Sequence, residues 1–160
     1  MLNQIANQVF YKKNDVDKKE PYEYKSNPTH RTNHNEDKSQ WEISLEEEYR
    51  TFENTVLNNW FTIASSNTNK IFGYGIFLPQ EKINTPKQIG SKEIKHSQKT
   101  KKLYIAKFDV DSNLWHGYPC GDKESDFFEL KNFKAILTQW IDLKYITKSQ
   151  FQKIHKGRSL

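Results

Sequence analysis

Residues 103–118 read LYIAKFDVDSNLWHGY, and this stretch predicts two β-strands joined by a tight turn. Over residues 103–110 the side chains fall into two alternating sets, one of which contains only Tyr, Ala, Phe and Val. Such alternation is typical of a strand with one buried face. Asp111, Ser112 and Asn113 are turn-forming residues, and residues 114–118 continue as a second strand until Pro119. The stretch therefore predicts an antiparallel hairpin on which the rest of the domain is built.

A helix is predicted before this hairpin, over residues 44–60. Ser44 and Glu47 have the spacing of a capping box, in which each side chain bonds the backbone N–H of the other residue. Apolar residues then recur every three or four positions, at Leu45, Tyr49, Phe52, Val56 and Trp60. That spacing places them on a single helical face.

A strand is predicted between the helix and the hairpin, over residues 71–78 (IFGYGIFL). It is short and aromatic, and Pro79 ends it. Gly73 and Gly75 fall on one face of this strand, where a neighbouring element can approach closely.

Two further helices are predicted after the hairpin. The first has apolar residues at helical spacing, namely Leu130, Phe133, Ile136, Leu137, Trp140 and Ile141. The second begins at Thr147, which forms another capping-box pattern with Gln150. Since strands and helices are segregated along the chain, we expect an α+β fold. Its small antiparallel sheet, of about three strands, would be packed by the N-terminal helix and the C-terminal helix pair.

The domain boundaries follow from where apolar residues are scarce. Only 34% of the chain is hydrophobic, yet it holds 4 Trp, 8 Tyr and 10 Phe, which a wholly disordered chain would lack. Residues 1–40 are interpreted as a polar, largely flexible N-terminal arm, and residues 41–160 as one α+β domain. Residues 79–102 are nearly devoid of apolar side chains and are interpreted as a lysine-rich loop within that domain.

Several classes of protein are disfavoured by residues that the sequence lacks. There is no run of 18 apolar residues and no apolar signal core near the N-terminus, so we expect a cytoplasmic protein without a membrane segment. A single cysteine, Cys120, excludes an internal disulfide and a cysteine-rich zinc site. His30 and His34 lie in a polar tract without helical periodicity, and we assign them to the arm rather than to a metal site. No metal or cofactor is predicted.

The net charge of +5 is the sum of larger opposed blocks. Residues 61–104 contain 8 Lys against 2 Glu, and residues 129–160 contain 7 Lys or Arg against 2 acidic residues. Residues 41–60 and 105–128 are acidic instead. Basic blocks of this kind are suited to a polyanionic partner.

The leading hypothesis is a small basic protein that binds the nucleic-acid backbone. Lysine is a point charge without the fork of arginine, so little sequence selectivity is expected. The phosphate-binding candidates are Lys92, Lys95, Lys99, Lys101 and Lys102 in the loop and Lys148, Lys153 and Lys156 near the C-terminus, with Trp115, His116 and Tyr118 as base contacts. The alternatives are a solvated loop and an ordinary helical hairpin that closes the core.

Two other classes of function remain open at this point, and we lean against an enzyme. The first is a metal-independent small ribonuclease, in which His116 is the general acid or base, Tyr118 or His96 assists, and a loop lysine stabilises the transition state. The second is a protein-interaction module, such as an immunity or adaptor protein, that meets its partner through helix 44–60 and residues 1–40.

Overall fold

The computed structural model describes residues 8–10, 22–32, 38–64, 67–79, 85–94, 97–120, 133–156 and 160. Within them all nine strands precede the last two helices along the chain. The strands are β1 (Gln8–Phe10), β2 (Tyr22–Tyr24), β3 (Gln40–Trp41), β4 (Phe61–Ala64), β5 (Asn67–Gly75), β6 (Gly90–Ile94), β7 (Lys99–Leu103), β8 (Ile105–Asp111) and β9 (Leu114–Cys120). The helices are α1 (Leu45–Leu57), α2 (Phe133–Asp142) and α3 (Lys148–His155), with a 3₁₀ turn at Pro28–His30.

The sheet differs from the one predicted. A main sheet has six strands in the order β1-β2-β9-β8-β5-β4, and a small sheet has three strands in the order β3-β6-β7. The main sheet is mixed, because β2 and β9 are parallel whereas the other pairs of neighbouring strands are antiparallel. The α+β class is confirmed, but the prediction of one antiparallel sheet with about three strands is wrong. Strands with lysine, threonine or asparagine at most positions have no apolar alternation, so the sequence pattern did not reveal them.

The predicted hairpin of residues 103–118 forms the centre of the main sheet. Strands β8 and β9 pair along their whole length, from Ile105 opposite Cys120 to Asp111 opposite Leu114. Ser112 and Asn113 in the turn have positive φ angles of 49° and 65°, the left-handed conformation that tight hairpins use.

Side chains alternate between two cores on opposite faces of the main sheet. One core packs against α1 and contains Tyr24, Phe52, Phe108 and Trp115, while the other packs against α2 and α3 and contains Trp60, Tyr74, Leu137 and Trp140. Gly75 lets α1 approach closely, because a Cβ added there would lie 2.5 Å from the Thr55 hydroxyl. The expected role of this glycine face is confirmed.

Both predicted capping boxes are present. Ser44 accepts from the N–H of Glu47 at the start of α1, and Thr147 accepts from the N–H of Gln150 at the start of α3. Both signals are local, so the sequence was sufficient to predict where these helices begin. No helix in the part of the chain that the structure describes is both long enough and apolar enough to cross a membrane.

Residues 22–32 pack into the body of the protein, although they fall within the stretch interpreted as a polar arm. These residues contact the carboxylate of Glu48 on α1, which is fully buried. It accepts hydrogen bonds from the Tyr24 hydroxyl at 2.5 Å, the Ser26 hydroxyl at 2.9 Å and Arg31 Nε at 2.9 Å, and it also pairs with a terminal nitrogen of Arg31. A buried carboxylate is tolerated when several donors surround it, and here three residues of this one segment supply four of them.

Candidate functional site

A stack of two rings lies against β9 of the main sheet. The rings of His30 and Tyr118 have centroids 5.1 Å apart and are inclined by only 15°. His30 comes from the 3₁₀ turn, and its Nδ1 lies 2.7 Å from the backbone carbonyl of Ser39. A hydrogen bond at that distance requires Nδ1 to carry the proton, which leaves Nε2 as the acceptor of the neutral ring.

His116 lies on the same face of β9 as Tyr118. Strand alternation predicted this arrangement, and burial agrees with it, since both side chains are half-buried while Trp115 and Gly117, which alternate with them along β9, are buried. Asp109 of β8 is directly opposite His116 in the strand register. Two histidines, a tyrosine and a carboxylate are therefore brought to one region of the sheet. We call His30, Asp109, His116 and Tyr118 the histidine cluster.

The surroundings of His30 shift the pKa of its side chain. Burial lowers the pKa of its imidazole below the ordinary value, and the positive charges of Lys38 and His116 lower it further, while the hydrogen bond to Ser39 acts in the opposite direction. His30 is therefore neutral at pH 7. The polar-tail interpretation of His30 is wrong, because the side chain is only 7% exposed.

The predicted lysine loop contains a β-hairpin made of β6 and β7. In its register Lys92 is opposite Lys101, and Ile94 is opposite Lys99. These four side chains consequently share one face of the hairpin. We call Lys92, Ile94, Lys99 and Lys101 the lysine face. At the base of the same face Leu103 is buried, whereas Ile94 near the tip is 46% exposed, so the hairpin extends beyond the core.

The hairpin base is linked to the histidine cluster through β3. Gln40 is paired with Ser91 of β6, and its side-chain amide donates to the backbone carbonyl of Thr29 at 3.0 Å. Gly90 packs so tightly against Pro119 of β9 that an added Cβ would lie 2.3 Å from the proline ring. The two groups of predicted site residues, lysines and His116 with Tyr118, are thus held by adjoining backbone.

The remaining predicted residues are distributed unevenly. Trp115 is 6% exposed and packs in the α1 core, so its expected role as a base contact is wrong. Lys95 and His96 lie outside the described residues. Lys102 is exposed on the other face of the hairpin, and Lys148, Lys153 and Lys156 are exposed on or just after α3.

Sequence reasoning did not identify His30 and Asp109 as site residues. Asp109 had a usable signal, since its place on β8 opposite His116 follows from the two-residue period and the turn position. His30 had none, because it precedes its stacking partner by many residues and sits in a tract without periodicity. In the part of the chain that the structure describes, no group of three or more His, Cys, Asp or Glu is arranged to hold a metal ion.

The structure also contains a cleft that none of the histidine-cluster residues line. It has a volume of about 780 Å³ and opens between α1, the segment that follows β5, and the turn between α2 and α3. Its lining mixes cations, one carboxylate and apolar side chains. The charged members are Glu47, Arg50, Lys87 and Lys144.

Comparison of the chain with protein-family models, with curated proteins and with solved structures finds no match.

Proposed function

We propose that the protein binds single-stranded nucleic acid through its backbone, with the lysine face of the β6–β7 hairpin as the main contact. The observation that carries this proposal is the placement of Lys92 directly opposite Lys101, with Lys99 two residues further along β7. Like charges opposite each other in a sheet destabilise the pairing. A bound row of phosphates would remove that repulsion.

The spacing on this face suits a chain of phosphates rather than one isolated anion. Alternate residues along a strand advance by about 7 Å, so Lys101 and Lys99 can contact successive groups of an extended backbone. Ile94, exposed directly opposite Lys99, offers an apolar surface for a base. Lysine is a point charge without the planar fork of arginine, so binding with little sequence selectivity is expected.

Fluorescence anisotropy with a labelled 20-nucleotide RNA and DNA, in single- and double-stranded form, tests this proposal over a range of salt concentrations. We expect affinity to fall with salt, and the variant Lys92→Ala/Lys99→Ala/Lys101→Ala to reduce the logarithmic salt slope by about 2. The matched control is Lys25→Ala/Lys70→Ala/Lys134→Ala, which removes the same charge from exposed positions elsewhere. Absence of binding at low salt, or equal losses in the two variants, would overturn the proposal.

A second candidate is metal-independent cleavage of RNA, and the convergence of His30, Asp109 and Tyr118 on His116 favours it. In such a reaction a base removes the proton of a ribose 2′-hydroxyl, whose oxygen attacks phosphorus. The bond to the 5′-oxygen breaks, and that oxygen takes a proton from an acid. His116 is suited to one of these transfers, Asp109 to orienting its ring, and a hairpin lysine to stabilising charge on the phosphate.

Cleavage and binding are separated by incubating the same RNA and DNA with the protein in EDTA. Cleavage predicts RNA fragments that end in cyclic phosphates, intact DNA, and loss of activity in His116→Ala. The control is His155→Ala, which changes an exposed histidine of α3. Activity that persists in His116→Ala would eliminate this candidate, whereas binding without fragments would leave the first proposal standing.

The protein-interaction hypothesis stays a prediction. Its test is a partner that co-purifies at high salt and is lost when the exposed side chains of α1 are changed.

A further inference from the structure

The cleft beside α1 is formed by three segments that are distant in the sequence. One wall is the polar side of α1, with Glu47, Arg50, Thr51 and Asn54. The floor is the segment that leaves β5, with Ile76, Phe77, Leu78 and Pro79, together with Lys87. The other wall is the turn between α2 and α3, residues 143–145. Its volume of about 780 Å³ lies in the range typical of small-molecule sites.

Positive charge predominates around this cleft. Arg50, Lys87 and Lys144 line it against one carboxylate, Glu47. Burial acts to raise the pKa of Glu47, but the N–H of Ser44 and the ammonium of Lys87 outweigh it and hold that pKa below the ordinary value. Glu47 is consequently ionised at neutral pH and fixes Lys87, with 3.1 Å between Nζ and the carboxylate oxygen. Lys87 is thereby positioned over the ring of Phe77, 5.8 Å from its centroid.

Lys144 occupies a backbone position that favours glycine. The N–H of Tyr145 bonds the carbonyl of Trp140, and the N–H of Lys144 bonds that of Ile141, which together form the Schellman ending of α2. Lys144 is the residue that must adopt the left-handed conformation, and its φ is 60°. A side chain with a Cβ is disfavoured there.

The end of α1 has the same backbone arrangement at a residue that does not line this cleft. There Trp60 and Asn59 make the same two hydrogen bonds to Thr55 and Val56, and Asn59 takes the left-handed position with φ 55°. Asparagine tolerates this conformation better than lysine does. The equivalent position of α2 is occupied by Lys144, whose long, positively charged side chain lines the cleft. Lys144 therefore brings a positive charge to the cleft at a position where the backbone itself favours glycine.

We propose that this cleft binds a small organic anion with an apolar or aromatic body. Its carboxylate or phosphate group would be held by Lys144 and Arg50, and its body would lie on Phe77, Leu143 and Tyr145. Leu143 is 47% exposed, so a ligand there would cover apolar surface that is otherwise in water. This site is distinct from the lysine face and the histidine cluster, and it does not depend on nucleic-acid binding.

Isothermal titration calorimetry with three probes of one shape tests the proposal: naphthyl phosphate, naphthoate and uncharged naphthalenemethanol. We expect the two anions to bind measurably at about 1 mM and the alcohol to bind at least roughly tenfold more weakly. The stronger of the two anions identifies the head group, phosphate or carboxylate. Equal binding of the alcohol, or no binding of either anion, would overturn the proposal.

Two glycine variants separate ligand binding from folding. Lys144→Gly should raise the melting temperature, because glycine suits the left-handed position, and yet weaken anion binding roughly three- to tenfold. Asn59→Gly is the matched control, with the same backbone change outside the cleft and unaltered binding. A Lys144→Gly protein that binds the anions as well as the wild type would contradict the assignment. Both variants retain Lys92, Lys99 and Lys101, so we expect their RNA binding to be unchanged. A failure of the nucleic-acid proposal is therefore distinguishable from a failure of this one.

Discussion

At the scale of single residues, Glu48 is the most demanding side chain in the described part of the protein. Its carboxylate is fully buried and depends on the hydroxyls of Tyr24 and Ser26 and on the guanidinium of Arg31. Arg31 also donates to the backbone carbonyl of Ile43 at 3.1 Å. Burial and the adjacent Glu48 carboxylate raise the pKa of the Tyr24 hydroxyl, which therefore remains protonated and a donor at neutral pH.

We predict that Arg31→Ala lowers the free energy of unfolding by about 3–5 kcal/mol, because it leaves the charge of Glu48 buried without a cation. Urea denaturation measures this change. The control is Arg50→Ala, which breaks the ion pair between Arg50 and Glu46, whose side chains are 64% and 75% exposed. Exposed pairs of this kind contribute at most about 0.5 kcal/mol. Similar losses in the two variants would show that the Glu48 network carries no special weight.

The second prediction at this scale concerns His30 and pH. Its folded-state pKa lies below the unfolded value of about 6.5, so the unfolded chain takes up the proton more readily. The stability that neutral His30 contributes is complete above that unfolded value and is lost as the pH falls below it, with a limit of about 1.4 kcal/mol per pH unit.

His30→Asn isolates this contribution, since an asparagine amide can still donate toward the Ser39 carbonyl but does not titrate. We expect the free energy of unfolding to fall less between pH 7 and pH 5 in His30→Asn than in the wild type. Parallel pH profiles from urea denaturation would refute the role assigned to His30.

At the scale of elements, the base of the β6–β7 hairpin is fixed by a close backbone contact. A Cβ at Gly90 would lie 2.3 Å from the Pro119 ring and 2.4 Å from the backbone carbonyl of Gln40. Gly90 therefore lets β3, β6 and β9 meet. Without it the hairpin would have to move away from the main sheet.

We predict that Gly90→Ala destabilises the protein by more than about 2 kcal/mol, because neither proline nor a backbone carbonyl can yield without shifting a strand. Gly73→Ala is the control, since its nearest atoms are side-chain carbons at 3.1 Å or more. The melting temperatures of the two variants should differ clearly. If Gly90→Ala also weakens RNA binding more than its stability loss explains, the hairpin position matters to the proposed site.

The elements that the sequence predicted are those specified by local signals. Capping boxes, the β8–β9 turn and the face shared by His116 and Tyr118 all depend on residues within a few positions of one another. Strands β6 and β7 escaped detection because their lysines and threonines give no apolar period, and the pairing of β2 with β9 escaped it because parallel pairing leaves no local trace. His30 could not be linked to Tyr118 either, because no local signal connects two residues so far apart in the sequence.

Trp115 shows a different kind of error. Alternation correctly placed it on the face opposite His116, but an aromatic residue in a cluster of unusual residues was nevertheless assigned to base contact. The structure places its ring against Phe61 and Phe52, with centroids 5.3 Å and 5.9 Å away. A tryptophan on the inward face of a central strand contributes to the core.

At the scale of the whole molecule, residues 22–32 contribute side chains to the core. Tyr24 is fully buried and stacks on Phe52 with a centroid distance of 4.5 Å. We predict that a chain without residues 1–32 loses cooperative unfolding, because Glu48 keeps its charge but loses all three partners from this segment. Near-ultraviolet circular dichroism during a thermal ramp measures this. A sharp transition at the wild-type temperature would contradict it.

The parallel pairing of β2 with β9 also bears on how the chain folds as it leaves the ribosome. Glu23 pairs with Leu114 and Tyr24 with Trp115, so β2 cannot take its place beside β9 until most of the chain has been synthesised. The hydrogen bonds of Tyr24, Ser26 and Arg31 to Glu48 span only 24, 22 and 17 positions and require nothing beyond α1. Contacts between near positions form sooner than distant ones. A nascent chain can therefore hold β2 against α1 with one buried carboxylate while β9, its parallel partner in the sheet, is still being translated.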